Sequence, residues 1–489
     1  MSFPSRGCQT CRDRRIKCDK NLPICLRCIN SRRTCYGRRD QQVWHTENAY
    51  ASRQTKRPRG PRPAKVDLTV SPIPTDLKSC ALAYYMHNYS ETPLGVPDFV
   101  KEVTGGCFPI LPSAPWCSII DLAISSVALA TFSRAKRYPK AAIEATSTYA
   151  QLLQISQAEL HCLNSRNLDT CLLAVFFMGR YEDSIYCPGS KIPLQLTLQS
   201  FSHHDGAMAI LKVWIDRLRH NGPATNVIKH TRRGLIRSVL MRHAALPEWI
   251  QDGALFGEDG FELVYDRILV RVVNLRHRLV SLNMMVLPQP GIVGNTVEIN
   301  EFNKDAQVLD EDLEHCVAQV PRPLNSLRRH RISELISWPT KDFYSPVVYS
   351  YSSLAYAAAC CQYYATRMLV KSTRLRILAL SSVSDMAQEQ QLSFEMRYIG
   401  DDLAASTPFC LRRFGLTTQS HRNPINLNTD EYIKPIDARL IIWPLSIASS
   451  LDNMDISQKT WFQGQLSRLG KIVGFGVLES AEKDDWLVL

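Results

Sequence analysis

Cys8-Gln9-Thr10-Cys11-Arg12-Asp13-Arg14-Arg15-Ile16-Lys17-Cys18 is followed, after the six residues 19–24, by Cys25-Leu26-Arg27-Cys28-Ile29-Asn30-Ser31-Arg32-Arg33-Thr34-Cys35. Both stretches read C-x2-C-x6-C, so each offers three thiolates in the same order. A duplicated ligand pattern implies a pseudo-twofold metal site. Zinc in a closed structural site takes four ligands in a tetrahedron, and three per half leave each metal one short. Two metals are satisfied if one cysteine of each half bridges, because six ligands with two counted twice make eight contacts. The alternatives are a set of disulfides or a zinc ribbon. A ribbon has two C-x-x-C pairs and no third cysteine in each half, so it accounts poorly for Cys18 and Cys35.

The run from Gly7 to Asp19, together with Pro23 two residues before Cys25, closely resembles the zinc binuclear cluster of fungal transcription factors. The resemblance covers roughly residues 7–37 and implies two zinc ions per chain, held by Cys8, Cys11, Cys18, Cys25, Cys28 and Cys35, with Cys8 and Cys25 bridging. It implies double-stranded DNA as partner. It also places base reading at Arg14 and Arg15, on CGG-type triplets, with Arg12 and Lys17 at positions that more often touch phosphate. Many relatives carry lysine at the base-reading positions, which leaves the triplet preference open. Arginine can donate two parallel bonds to guanine O6 and N7. Arg27, Arg32 and Arg33 read equally well as phosphate contacts or as a solvated basic face. Each C-x-x-C is expected to lead into a short helix, over roughly residues 12–17 and 26–34. So small a module has almost nothing apolar to bury. Its folding energy is therefore expected from the metal, which supplies about 10–16 kcal/mol in small zinc peptides.

Charge points the same way. Residues 1–65 carry +13 and the rest of the chain −1, within a total of +12. A local positive charge of this size favours polyanions and gives salt-dependent binding through counterion release. Ten further cysteines, from Cys80 to Cys410, share no repeated spacing, and several lie in apolar surroundings, such as Cys171 before 172–177. Thiolate ligands beside many unpaired thiols suit a reducing compartment; the nucleus is expected. The apolar stretches near 116–132 and 351–370 are broken by Asp121 and by Gln362 and Arg367, so no membrane span is expected.

Residues 41–75 are polar, basic and rich in proline, as in Lys56-Arg57-Pro58-Arg59-Gly60-Pro61-Arg62-Pro63, and read as a flexible linker. Its basic residues suit nuclear import or trailing along phosphates, or merely solvation. No leucine heptad follows the cluster: residues 41–65 offer only Val43, Trp44 and Tyr50 as sizeable apolar residues. The oligomeric state is therefore open. From residue 76 to 489 apolar residues recur at spacings of three and four, as in Ala207, Ile210, Leu211, Trp214, Ile215 and Leu218. Similar stripes cover 141–162, 261–283, 349–370, 439–451 and 461–478. Strand-like alternation is scarce. The expected fold is mostly all-α: a two-zinc module at 1–40, the linker at 41–75 and a large helical domain at 76–489. The body also resembles the helical regulatory domain that follows the cluster in many fungal regulators, at 204–211, at 438–448 with Trp443-Pro444-Leu445, and at 461–478.

Other signals carry less. His203-His204-Asp205-Gly206 lacks the three-residue gap of a condensation motif and reads as a helix start capped by Ser202 or Asp205. Residues 464–471 miss the phosphate-loop spacing and its Ser/Thr. Residues 479–487 mix acids with Trp486 and Leu487, as in coactivator-recruiting tails, or form a solvated helix end. No catalytic motif is found, and an enzyme is not expected. The reading is a sequence-specific regulator of RNA polymerase II promoters, with coregulators among its partners. The alternative is a repressor or cofactor tethered to promoters through protein contacts of the helical domain.

Overall fold

The computed structural model describes residues 7–8, 10–11, 14–20, 25–31, 33, 35, 76–89, 118–187, 200–286, 296–318, 327–332, 337–380, 386–416, 425–428, 432–483 and 486–489. They fall in two compact units, one within Met1–Ile73 and the other within Pro74–Leu489. Arg12, Arg32 and all of 41–75 lie outside the described residues.

Among the described residues, the first unit contains the helix α1 (Leu26–Asn30). Among its described residues the second is mostly helical: α2 (Leu77–Tyr89), α3 (Ser118–Lys136), α4 (Pro139–His161), α5 (Leu168–Ile185), α6 (Ser200–Val213), α7 (Asn226–Met241), α8 (Gly260–Val286) and α9 (Thr296–Ala318). Then come α10 (Leu354–Leu380), α11 (Met386–Cys410), α12 (Pro435–Ser450) and α13 (Ile456–Val473). A single apolar cluster runs through these helices, and α3 lies deep in it. That helix is long and apolar enough to cross a membrane, yet Ile119, Ile120, Ile124, Val127 and Leu129 are all buried, as suits a core helix. Its main packing partners are α2, α4 and α5.

Helix ends follow local chemistry. Thr225 caps α7 by accepting from the Ile228 amide, and Asp455 caps α13 by accepting from Ser457 and Gln458. Gly474 closes α13 with φ +69°, in the left-handed region that glycine enters without strain. A Cβ there would also press to 3.3 Å from Thr131 of α3.

Several expectations are corrected. The stripe at 349–370 is not one helix: Val347–Ser350 pairs antiparallel with Arg328–Arg331, and α10 starts only at Leu354. This ribbon and a second, Phe414–Leu416 with Ile425–Leu427, share a small core of Ile332, Phe343, Val348, Phe414 and Ile425. The stripe at 461–478 breaks at Gly474 and resumes as a 3-10 turn over Gly476–Glu482. Since α6 already begins at Ser200, neither Ser202 nor Asp205 caps it. His203 instead bonds Tyr149 of α4 at 2.8 Å, and His204 bonds Ser238 of α7 at 2.7 Å.

The C-terminal segment is neither a recruiting tail nor a solvated end. Trp486, Leu487 and Leu489 are buried in the main core. The Trp486 indole donates to Ser449 Oγ at 3.1 Å, and the Leu489 amide to Ser450 O at 2.7 Å, which docks the segment on the end of α12.

Candidate metal centre

The two halves of the N-terminal module fold alike locally. The Ile16 amide donates to Cys11 O at 3.0 Å, and seventeen residues on the Arg33 amide donates to Cys28 O, also at 3.0 Å. Such six-to-one bonds close a helical turn and leave the residue before the donor in the left-handed region. Arg15 is there, with φ +53°. For a residue other than glycine this conformation costs on the order of 1 kcal/mol. The expected helix does not run on to residue 17: the backbone is helical at Thr10 and Cys11, turns at Arg14 and Arg15 and is no longer helical at Ile16 and Lys17. The second helix stops at Asn30 rather than near residue 34. Both are cut short because the chain must reverse to bring the third cysteine back beside the first two.

Asp19 links the halves. Its carboxylate accepts from the Leu26 amide at 2.9 Å and from the Arg27 amide at 3.2 Å, filling the N-terminus of α1 from the end of the first half.

The sulfurs form two groups of four, Cys8, Cys11, Cys18, Cys25 and Cys8, Cys25, Cys28, Cys35, each with its Sγ atoms within 4.8 Å of one another. Cys8 and Cys25 belong to both. Sγ–Sγ separations are 3.6 Å for Cys8–Cys25, 3.8 Å for Cys8–Cys28 and 3.7 Å for Cys11–Cys25. A tetrahedron with zinc–sulfur bonds near 2.3 Å has edges of about 3.8 Å. The spacing therefore suits four thiolates around each of two ions and is far too long for S–S bonds.

Backbone amides support the negative charge. Cys11 N donates to Cys8 Sγ, and Cys8 N and Lys20 N both donate to Cys18 Sγ, each at 3.4 Å. The amides of Cys8 and Lys20 pull the Cys18 thiol down to about 7. Burial pushes Cys8, Cys11, Cys25 and Cys28 the other way. Thiols crowded this closely resist ionisation without a cation among them, which is the condition that a divalent metal meets.

The cationic side chains surround this core. Arg14, Arg15, Lys17, Arg27 and Arg33 are exposed. Arg14 Nη1 donates to Ser31 Oγ at 3.1 Å, and Ser31 Oγ donates to Arg27 O at 2.7 Å, so Arg14 is steadied by the second half. Sequence reasoning missed both Asp19 and Ser31. An Asp just after the third cysteine, before a C-x-x-C helix start, was the available signal for the first; Ser31 had none.

Residues 6–44 match the fungal Zn(2)-Cys(6) binuclear cluster domain, a domain that binds two zinc ions. Over 31 residues the chain is 64% identical to an uncharacterized transcriptional regulatory protein of Schizosaccharomyces pombe, a stretch that is 6% of either chain. It is 60% identical over 30 residues to adhesion and hyphal regulator 1 of Candida albicans, covering 6% of this chain and 5% of that one. White-opaque regulator 2 of the same organism is 53% identical over 34 residues, 7% of this chain and 8% of its own. The chain thus covers less than a tenth of each of these relatives. No solved structure matches it.

Proposed function

We propose that the chain is a nuclear, sequence-specific DNA-binding regulator of RNA polymerase II promoters, not an enzyme. Residues 1–40 read a CGG-like triplet, 41–75 form a basic linker, and the helical body from 76 onward regulates through coregulators. Cys8 and Cys25 bridge two zinc ions, Cys11 and Cys18 complete one tetrahedron, and Cys28 and Cys35 complete the other. The carrying observation is the pair of four-sulfur groups sharing Cys8 and Cys25 beneath an exposed rank of cations. The metals are structural in this reading. They hold the turn that presents Arg14 and Arg15, and the Ser31 bond limits the swing of Arg14. Restricting a long side chain before binding lowers the entropy lost at the base edge. Arg12 and Lys17 are assigned to phosphates. Regulators named in Schizosaccharomyces pombe and Candida albicans share the module, which supports the class.

Equilibrium titration of the full chain on duplexes with and without the triplet tests this. Arg14→Ala or Arg15→Ala should cost about 1–3 kcal/mol on the triplet and relax the preference. Lys56→Ala with Arg57→Ala should weaken binding to all duplexes alike and flatten the salt dependence. An unaltered preference in both Arg14→Ala and Arg15→Ala would remove base reading from this turn.

A further inference from the structure

Helices α5, α6, α7 and α12 line an open cavity of about 280 Å³ in the helical body. Helix α5 gives it one continuous face, Leu172, Val175, Phe176, Gly179, Arg180 and Asp183, at spacings of three and four. Phe201 and Trp443 add aromatic walls from α6 and α12. An apolar cleft with a few convergent polar groups is the usual make-up of a small-molecule site, and this one lies near the lower end of their sizes.

Its charge is what selects a ligand. Three guanidinium groups face it: Arg180, Arg233 and Arg237. Arg180 lies over Phe176 at 5.2 Å and near Asp183 at 3.5 Å, and Arg233 is engaged by two carboxylates, Glu258 at 2.8 Å and Glu262 at 2.7 Å. Arg237 lies over the Trp443 ring at 5.3 Å and donates to the neutral Gln362 Oε1 at 3.1 Å. Burial pulls the His203 imidazole down and takes His204 to about 3, so both are neutral donors or acceptors near pH 7. Asp183 is pushed up by burial, which weakens the one carboxylate in the lining. Cationic groups on an aromatic and aliphatic wall favour an anion with an apolar body over a cation or a sugar.

We propose that this cavity binds a small organic monoanion, a carboxylate on an aromatic or branched apolar body, with Arg237 as the carboxylate anchor and Phe176, Phe201 and Trp443 as its walls. The binding is independent of the DNA-reading assignment; only its use as a regulatory input rests on that reading. Gly234 of α7 provides a direct handle, because it lines the cavity and a Cβ built there meets nothing within 4 Å. Gly234 is exposed, so a larger side chain at 234 stands at the mouth of the cavity and covers it, and replacing a helical glycine favours the helix.

The test is isothermal titration of the zinc-loaded full chain with 2-naphthoate, 2-naphthamide and 2-naphthylmethylammonium. Saturable one-to-one binding of naphthoate is expected, at least tenfold tighter than the amide, with no binding of the cation. Arg237→Gln should lower naphthoate affinity at least tenfold and leave the amide unchanged, and Arg237→Lys should recover part of the loss. Gly234→Leu should abolish naphthoate binding without lowering the melting temperature. Absence of saturable naphthoate binding, equal binding of the cation, or intact binding in Gly234→Leu overturns the proposal. Should Arg237→Gln fail to fold, Gly234→Leu and the three-probe comparison decide alone. Binding of a single-triplet duplex by the same samples reports on DNA reading separately, so either assignment can fail without the other.

Discussion

At Cys8 and Cys25 each sulfur lies in both four-sulfur groups, whereas Cys18 and Cys35 lie in one group each. In the proposed arrangement the loss of a shared thiolate damages both tetrahedra. Cys8→Ser or Cys25→Ser should therefore release both zinc ions, and Cys18→Ser or Cys35→Ser should retain more metal; elemental analysis of the full-length variants distinguishes these outcomes. Equal loss at all four positions would contradict the bridging roles. In the body, the His204 imidazole is displaced far from its ordinary value. Burial is the main cause, and Arg180, Arg242 and His203 add to it while Asp205 opposes. In the unfolded chain it protonates through its ordinary value of 6.5, but in the folded chain only near 3. Its contribution to stability is thus present above about 6.5 and is lost as pH falls toward 3. Between pH 7 and 5 that loss reaches up to about 2 kcal/mol. Denaturant unfolding should show a shallower acid slope in His204→Asn than in the parent, and identical slopes would exclude the effect.

Among the elements, the C-terminal segment departs furthest from its sequence. Acids flank Trp486 and Leu487 without a 3.6-residue period, so burial there depends on a groove made by other helices rather than on local pattern. Trp486→Ala should cost about 3–5 kcal/mol in thermal or denaturant unfolding, as for other buried aromatics; an exposed recruiting tail would show almost no change. The long helices were legible because their apolar stripes repeat, as from Ala207 to Leu218. The ribbon at Val347–Ser350 was not, since a four-residue strand followed closely by a helix presents one uninterrupted apolar run. In the module, the six cysteines and their division into two like halves could be read from spacing, whereas the sharing of Cys8 and Cys25 came from the family resemblance. The left-handed turn at Arg15 could not be read, because it arises when the chain reverses around the cluster, and the cap from Asp19 left only the signal of an acid ahead of a helix start.

For the whole molecule, charge and core are divided between the two ends of the chain: +13 in residues 1–65, and one large apolar cluster beyond residue 76. The absence of a heptad in 41–65 predicts that the zinc-loaded 1–75 fragment is monomeric and occupies one triplet-containing half-site. Any dimer of the full chain then forms through the body. Sedimentation of both species with a single-triplet duplex tests this, and a fragment that self-associates at micromolar concentration would contradict it.

The central claim is that a two-zinc module reads DNA sequence. Selection of bound duplexes from a randomised pool by the full chain, with zinc present and after chelation, tests it most directly. The account predicts enrichment of a CGG-like triplet that disappears once the metal is removed. A pool that shows no enriched triplet, or the same enrichment after chelation, would contradict it.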